Sequence, residues 1–341
     1  MSMLSVKCCK FRVDKIKIII YKVNIVYLYG KKESDLVRPM KTKLSLQVAR
    51  RKDATQAIAM IAPMMLGFII FTYLPIIYIL RYAFYNYNGF KSSFIGWDNF
   101  IRLFFRDRDY WGSLVTTFIL GFGKLALEIP LALFLAILLN MKLKGTGFFR
   151  VTLFLPAIIS TAIVGLVFSL MFAAFDGVIN GMLRDAGIIR QNINWFGSKW
   201  SALFVLGLAS VWQNVGVNMI FFLVALQRIP LELYECASLD GASSLRKFWN
   251  ITLPMIGPMF QIILLMAIVG SLKMADLIIA STNGQPGGTT EVVMTYVFKY
   301  FFGFAGRPSE IGYASSQSVI TGIILALVSM IYLKSTKKMA L

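Results

Sequence analysis

The side chains able to do chemistry are few, and they stand inside long apolar runs. Ser210, Gln213, Asn214 and Asn218 sit at i, i+3, i+4 and i+8, so a helix carries them on one face. Ser271, Lys273 and Asp276 lie at comparable depth in the next apolar run, beside Met274. Lys124 and Glu128 are four residues apart in an earlier one, close enough to meet on one helix face. Amides donate and accept, so the chemistry on offer is reversible hydrogen bonding. A lone charge at the centre of a bilayer costs about 3 kcal/mol on insertion scales, so these groups are expected to face a bundle interior or a wet cavity. For the Ser210 set two readings stay open: the lining of a solute pathway, or hydrogen bonds that hold helices together. For Lys124 with Glu128 a self-compensating pair is favoured. For Lys273 with Asp276 a mutual ion pair is expected ahead of direct solute contact.

Covalent chemistry has little to work with. The chain contains no histidine, which removes Ser-His-Asp and Cys-His catalysis and the commonest zinc ligand. Its three cysteines, Cys8, Cys9 and Cys236, fall in segments expected in the cytoplasm and read as free thiols. No catalytic residue and no metal site is expected. The nucleotide-binding pattern G-x-x-x-x-G-K-[S/T] does not occur; Gly123-Lys124 fails it because position 118 is Phe.

The apolar runs themselves fix the class. Of 341 residues 57% are hydrophobic and 15% charged, with a mean hydropathy of +0.70, which is outside the range of soluble domains. Six runs are long enough to cross a bilayer: 57–80, 113–140, 151–175, 200–227, 259–280 and 311–333. Pro63 and Pro75 are candidate kinks in the first. The fold class expected is all-α, a polytopic six-helix membrane bundle occupying 56–335. Loops 81–112, 174–199 and 281–310 lie on one side and 141–150 and 228–258 on the other. The net charge of +19 sits at the ends of apolar runs and reads as membrane flanks, so no nucleic-acid partner is expected. The side holding both termini and loops 141–150 and 228–256 carries 23 Lys and Arg against 10 opposite, which makes it cytoplasmic. Residues 1–55 form a basic N-terminal segment. Met40 followed by KTKLSLQVARRK reads as a natural start, so residues 1–39 are expected to be an extension from an upstream start choice.

The polar segment from Tyr234 to Pro258 interrupts this pattern. Its fixed points, Glu235, Ala237, Gly241, Ile251, Leu253 and Pro254, spell E-x-A, three residues, G, nine residues, I-x-L-P, with Asp240 and Ala242 flanking the glycine. To lie across the membrane surface and re-enter, it must form two short helices joined at a corner. Residues 231–240 suit the first helix, Gly241 the turn, and Ser243 or Ser244 the cap of a second bearing Leu245, Phe248 and Trp249. Pro254 and Pro258 are expected to end that helix and start the next span. The alternative is an interfacial amphipathic hairpin without a partner.

The spacing resembles the cytoplasmic loop of permease subunits of ATP-binding-cassette (ABC) importers. From about 57 to 333 the chain is similar to the maltose/glycerol-3-phosphate type, carried by GFFRVTLFLPAIIS at 147–160, SVWQNVGVNMIFFLVALQRIPLELYE at 210–235, ASLDGASSLRKFWNITLP, and TNGQPGG at 282–288. Gly284, Pro286, Gly287 and Gly288 resemble the first of two unlike permease subunits. Cys236 departs from the family, which has Ala there. The resemblance implies a type I importer bundle working by alternating access. It implies three partners: an ABC ATPase dimer, a second, homologous permease in a heterodimer, and an external solute-binding protein that meets loops 81–112, 174–199 and 281–310. The loop with Glu235, Ala237, Asp240, Gly241, Ala242, Ile251, Leu253 and Pro254 would couple to the ATPase, which binds ATP and Mg; no cofactor is expected on this chain. The implied location is a bacterial-type cytoplasmic membrane, multi-pass. The implied cargo is a sugar or oligosaccharide, whose hydroxyls suit Ser210, Gln213, Asn214, Asn218, Ser271, Lys273 and Asp276. Alternatives are an ABC permease for another solute, such as glycerol phosphate, and a non-transport membrane scaffold.

Overall fold

The structure, a computed structural model, describes residues 43–141 and 144–336. The expected extension 1–39, Cys8, Cys9, Lys142, Lys337 and Lys338 lie outside the described residues. The chain divides into two units, Met1–Thr72 and Tyr73–Leu341.

Helix α1, Lys43–Phe68, holds Pro63 without breaking. A π-turn at Ile69–Tyr73 follows, then α2, Leu74–Tyr82, with Pro75 in its first turn where a missing N–H is harmless. The apolar part, Gln56–Tyr82, is long enough to cross a membrane. Beyond it the loop 81–112 contains a hairpin: β1, Tyr85–Tyr87, pairs antiparallel with β2, Ser92–Phe94, in the register Tyr85 to Phe94. Alternating aromatic and small polar residues favour it, and buried Asn99 locks its base by donating to the carbonyls of Ala83 (2.9 Å) and Tyr85 (3.0 Å).

Asn99 belongs to α3, Asp98–Phe105. Next, α4, Arg108–Asn140, is 33 residues long and starts five residues earlier than its apolar run because Asp107 caps it, accepting from the Tyr110 N–H.

The third apolar run does not form one helix. Thr146–Phe154 (α5) runs into a 3₁₀ turn at Leu155–Ile158; the chain then breaks and bends by 95° into α6, Thr161–Met171. Pro156 supplies no N–H, and Ile159 is extended (φ −71°, ψ 136°). The short α7, Val178–Asp185, precedes α8, Lys199–Gln227, capped by Ser198.

Two short helices follow, α9 at Leu231–Leu239 and α10 at Ser244–Lys247. The latter flows through a π-turn, Phe248–Thr252, into α11, Leu253–Leu272, making one continuous apolar helix from Ser244. This corrects the expectation that Pro254 and Pro258 end a helix. Pro254 occupies the first turn of α11, where the missing N–H falls in the widened π geometry, and Pro258 is carried inside.

The fifth run also stops short of its expected end. After α11 closes at Leu272, Lys273 to Ala275 are non-helical and α12, Asp276–Ser281, starts afresh. The last elements are α13, Val293–Phe302, and α14, Ile311–Thr336. In all, five helices are long and apolar enough to cross a membrane among the described residues, or six if the bent pair counts as one span.

One buried core joins α4, α8 and α11, with Ala132, Ala136, Met219, Phe222 and Ile263 interlocked and fully or almost fully buried. Glycine brings backbones of separate elements together, at Gly216, at Gly165 and at Gly312, where an added Cβ would lie 1.9 Å from the Tyr85 carbonyl oxygen of the hairpin. At Gly216 on α8, an added Cβ would lie 2.0 Å from the Leu153 carbonyl oxygen, so α5 rests directly on α8. At Gly165 the α6 backbone meets α12, and Ser281 Oγ donates to the Gly165 carbonyl at 3.0 Å.

Candidate functional site: a polar cavity and a two-helix loop

Between α4, α8, α11 and the two breaks lies a cavity of about 540 Å³. All seven residues singled out in the fourth and fifth runs line it: Ser210, Gln213, Asn214, Asn218, Ser271, Lys273 and Asp276. Lys124 and Glu128 line it as well.

Each polar group has a traceable duty. Lys124 Nζ is 3.3 Å from Glu128 Oε2 and donates to Ser210 Oγ at 2.8 Å. Asn218 Nδ2 donates to Glu128 Oε1 at 2.6 Å. One carboxylate therefore holds a cation on its own helix and an amide on α8, which ties the two helices together. Gln213 Nε2 donates to the Ile159 carbonyl (2.8 Å) and to Thr161 Oγ1 (3.2 Å), the groups released where the third run breaks. Asn214 Nδ2 donates to the Ser210 carbonyl at 2.8 Å, and Ser271 Oγ to the Ala267 carbonyl at 2.6 Å. The amide nitrogens of the α8 set thus make hydrogen bonds within the bundle, and the same residues line the cavity.

Lys273 and Asp276 form no ion pair, contrary to the sequence expectation. The helical spacing that would have joined them is lost in the non-helical stretch 273–275. Lys273 ends α11 and Asp276 opens α12, so each charge is placed favourably by its own helix end. Both are exposed to the cavity.

At the other end of α8 stands the loop 231–252. Gly241 makes the turn expected of it, in the left-handed region at φ +72°, and Ser243 caps α10 by accepting from the Arg246 N–H. The two short helices are pinned by Tyr234 Oη to Thr252 Oγ1 (2.8 Å) and by Lys247 Nζ donating to Ser238 Oγ (2.7 Å). Ile251 and Leu253 pack against the core with Leu233 and Tyr234. Ala237 and Ala242 are half-buried, whereas Glu235, Asp240, Gly241 and Pro254 face outward. Leu239 and Leu245 project apolar side chains, 89% and 68% exposed, around the corner.

Sequence reasoning missed three groups. Ile159, Ser160 and Thr161 line the cavity at the break, for which Pro156 was the available signal. Asp107 accepts from Tyr296 Oη (2.8 Å) and from Tyr313 Oη, joining α4, α13 and α14; burial pushes the Tyr296 phenol well above its ordinary value, so it remains a neutral donor. Glu291, Lys299 and Arg307 form an ion cluster beside the 282–288 turn, with no local pattern to announce it. Among the described residues no group of three His, Cys, Asp or Glu could hold a metal.

The chain is similar to several known proteins. The probable ABC transporter permease protein YesP of Bacillus subtilis is 35% identical over 289 residues, covering 84% of this chain and 92% of the relative. The arabinooligosaccharides transport system permease protein AraP of the same organism is 32% identical over 80% of this chain and 86% of its own. The trehalose/maltose transport system permease protein MalF of Thermococcus litoralis is 30% identical over 83% and 94%. Among solved structures, a chain of a bacterial ABC transporter involved in the import of the acidic polysaccharide alginate superimposes with a TM-score of 0.74 at 24% identity, covering 86% of this chain and 98% of that one, which speaks to the fold. The model of the binding-protein-dependent transport system inner membrane component matches residues 128–336, from Glu128 in the cavity wall through the loop to the end of α14. The chain belongs to the family of inner membrane components of binding-protein-dependent transport systems.

Proposed function

We propose that this chain is the transmembrane permease subunit of an ATP-driven importer that carries a sugar or oligosaccharide across the cytoplasmic membrane by alternating access. The observation that carries the reading is the cavity, where Gln213, Asn214 and Asn218 line a space edged by two helix breaks and by the exposed charges of Lys273 and Asp276. Hydroxyl-rich solutes donate and accept at once, which such a wall matches. Interrupted helices at membrane depth are tolerated where they border a cavity. Relatives named as an arabinooligosaccharides and a trehalose/maltose transport system permease protein point the same way.

In this reading the bent pair is the third of six spans, and both termini lie on the cytoplasmic side with the loop 231–252. That loop, through Glu235, Asp240 and the exposed Leu239 and Leu245, docks in a cleft of a separate ATPase, two copies of which bind ATP and Mg; closure of the ATPases rocks the bundle. A second, homologous permease completes the pathway, and an external solute-binding protein delivers cargo to the opposite face.

The test is gentle purification of the C-terminally tagged chain from its native membranes, with mass spectrometry of every co-purifying protein. An ATPase, a second six-span permease and a solute-binding protein are expected, the last with its solute bound. Recovery of the chain alone, or with unrelated partners, would remove the transport reading.

A further inference from the structure

At the hairpin end of the bundle, away from the cavity, three charges are drawn into a tight cluster. Glu291 Oε1 is 2.9 Å from Lys299 Nζ and its Oε2 is 3.3 Å from Arg307 Nη2, with the Glu291 and Lys299 side chains only 4% and 6% exposed. Lys299 Nζ also donates to the Asn283 carbonyl at 2.8 Å. Gly284, at φ +88°, passes so near that a Cβ there would lie 3.2 Å from Lys299 Nζ. The turn 282–290 is therefore wrapped around a buried ammonium group. Thr290 Oγ1 closes it by donating to the Gln285 carbonyl (2.6 Å) and meeting Thr282 Oγ1 (3.1 Å). Arg307 covers the cluster, its guanidinium 4.1 Å above the Tyr296 ring.

Burying ions is expensive, and apolar contacts hold a loop at less cost. What a fork of charged hydrogen bonds adds is direction: it permits one backbone path and penalises its neighbours. The path here has two ends that matter. Its tip, Gln285 with Gly287, Gly288 and Thr289, is exposed. Its base continues α12, whose first residue, Asp276, lines the cavity.

We propose that Glu291, Lys299 and Arg307 are positioning residues that hold the 282–290 turn in the shape its tip presents to the solute-binding partner, and that they tie this tip to the cavity wall through α12. The proposal rests on the importer reading above. A loosened clamp weakens engagement of the partner while leaving the ATPase loop untouched.

The experiment is uptake by the complete reconstituted transporter as the solute-binding protein is titrated, with ATP hydrolysis measured in its absence. Lys299→Met and Arg307→Gln are expected to raise the half-saturating concentration of binding protein roughly fivefold or more while leaving unstimulated hydrolysis within about twofold of the parent. If Lys299→Met fails to assemble, Arg307→Gln, which removes the outer and partly exposed cation, reads the same quantity. An unchanged half-saturating concentration in an assembled variant overturns the proposal. Uptake by the parent that ignores the binding protein removes the importer reading, and the proposal with it.

Discussion

Lys124 and Glu128 show how a charge survives inside this bundle. Their side chains are 6% and 2% exposed, and Ser210 and Asn218 complete the set with hydrogen bonds from α8. Removing one partner leaves the other desolvated and uncompensated. Lys124→Met is accordingly expected to destabilise the protein by about 3–5 kcal/mol, whereas Lys124→Met with Glu128→Gln recovers most of that loss, because a neutral amide can still meet Asn218. Thermal unfolding in detergent checks both variants; a double variant no more stable than the single would contradict this account. The pair was legible from its i, i+4 spacing, and so was the clustering of Ser210, Gln213, Asn214 and Asn218, because one helix period fixes both. The partners were not legible. Gln213 reaches Ile159 across 54 residues of sequence, and no local pattern announces such a contact. For Lys273 and Asp276 the spacing misled, because it presumed a helix that ends at Leu272.

At the scale of elements, close backbone approach decides which helices can touch. A Cβ at Gly216 would meet the Leu153 carbonyl oxygen at 2.0 Å, while one at Gly207, about two and a half turns earlier on the same helix, would meet only Leu120 Cδ1 at 3.8 Å. The two glycines therefore predict opposite outcomes. Gly207→Ala is expected to be neutral or to stabilise α8 by up to about 1 kcal/mol through helix propensity. Gly216→Ala forces α5 off α8 and is expected to cost more than about 2 kcal/mol, the range of overpacking and backbone clashes. Melting of the two variants side by side checks this; equal stability would refute the α5–α8 contact. The sequence made the long helices legible through their apolar runs, and the loop 231–252 through Gly241 and its serines. It hid the break in the third run, because Pro156 sits amid residues as apolar as those of an unbroken span. It also hid the continuity of α10 into α11, because a π-turn lets Pro254 sit where proline ordinarily marks a boundary.

Taken whole, the molecule separates two kinds of surface by the length of its helices. At one end the loop 231–252 offers carboxylates and leucines around a glycine corner; at the other, the hairpin, α13 and the 282–290 turn are locked by Asp107, Glu291 and their partners. The cavity lies between, edged by the breaks at 159–160 and 273–275. Six apolar runs and their flanking charges were enough to read a membrane bundle, since hydropathy and length report directly on crossing a bilayer. The cavity is a property of how the breaks converge, which depends on packing and not on composition. The most direct test of the central claim is ATP-driven uptake of a labelled oligosaccharide by the reconstituted complex, comparing the parent with Asn214→Ala and Asp276→Asn. If the cavity carries the solute, both variants assemble normally and lose at least about tenfold in uptake, equivalent to ~1.4 kcal/mol. Uptake equal to the parent in both would contradict the assignment of this cavity as the transport pathway.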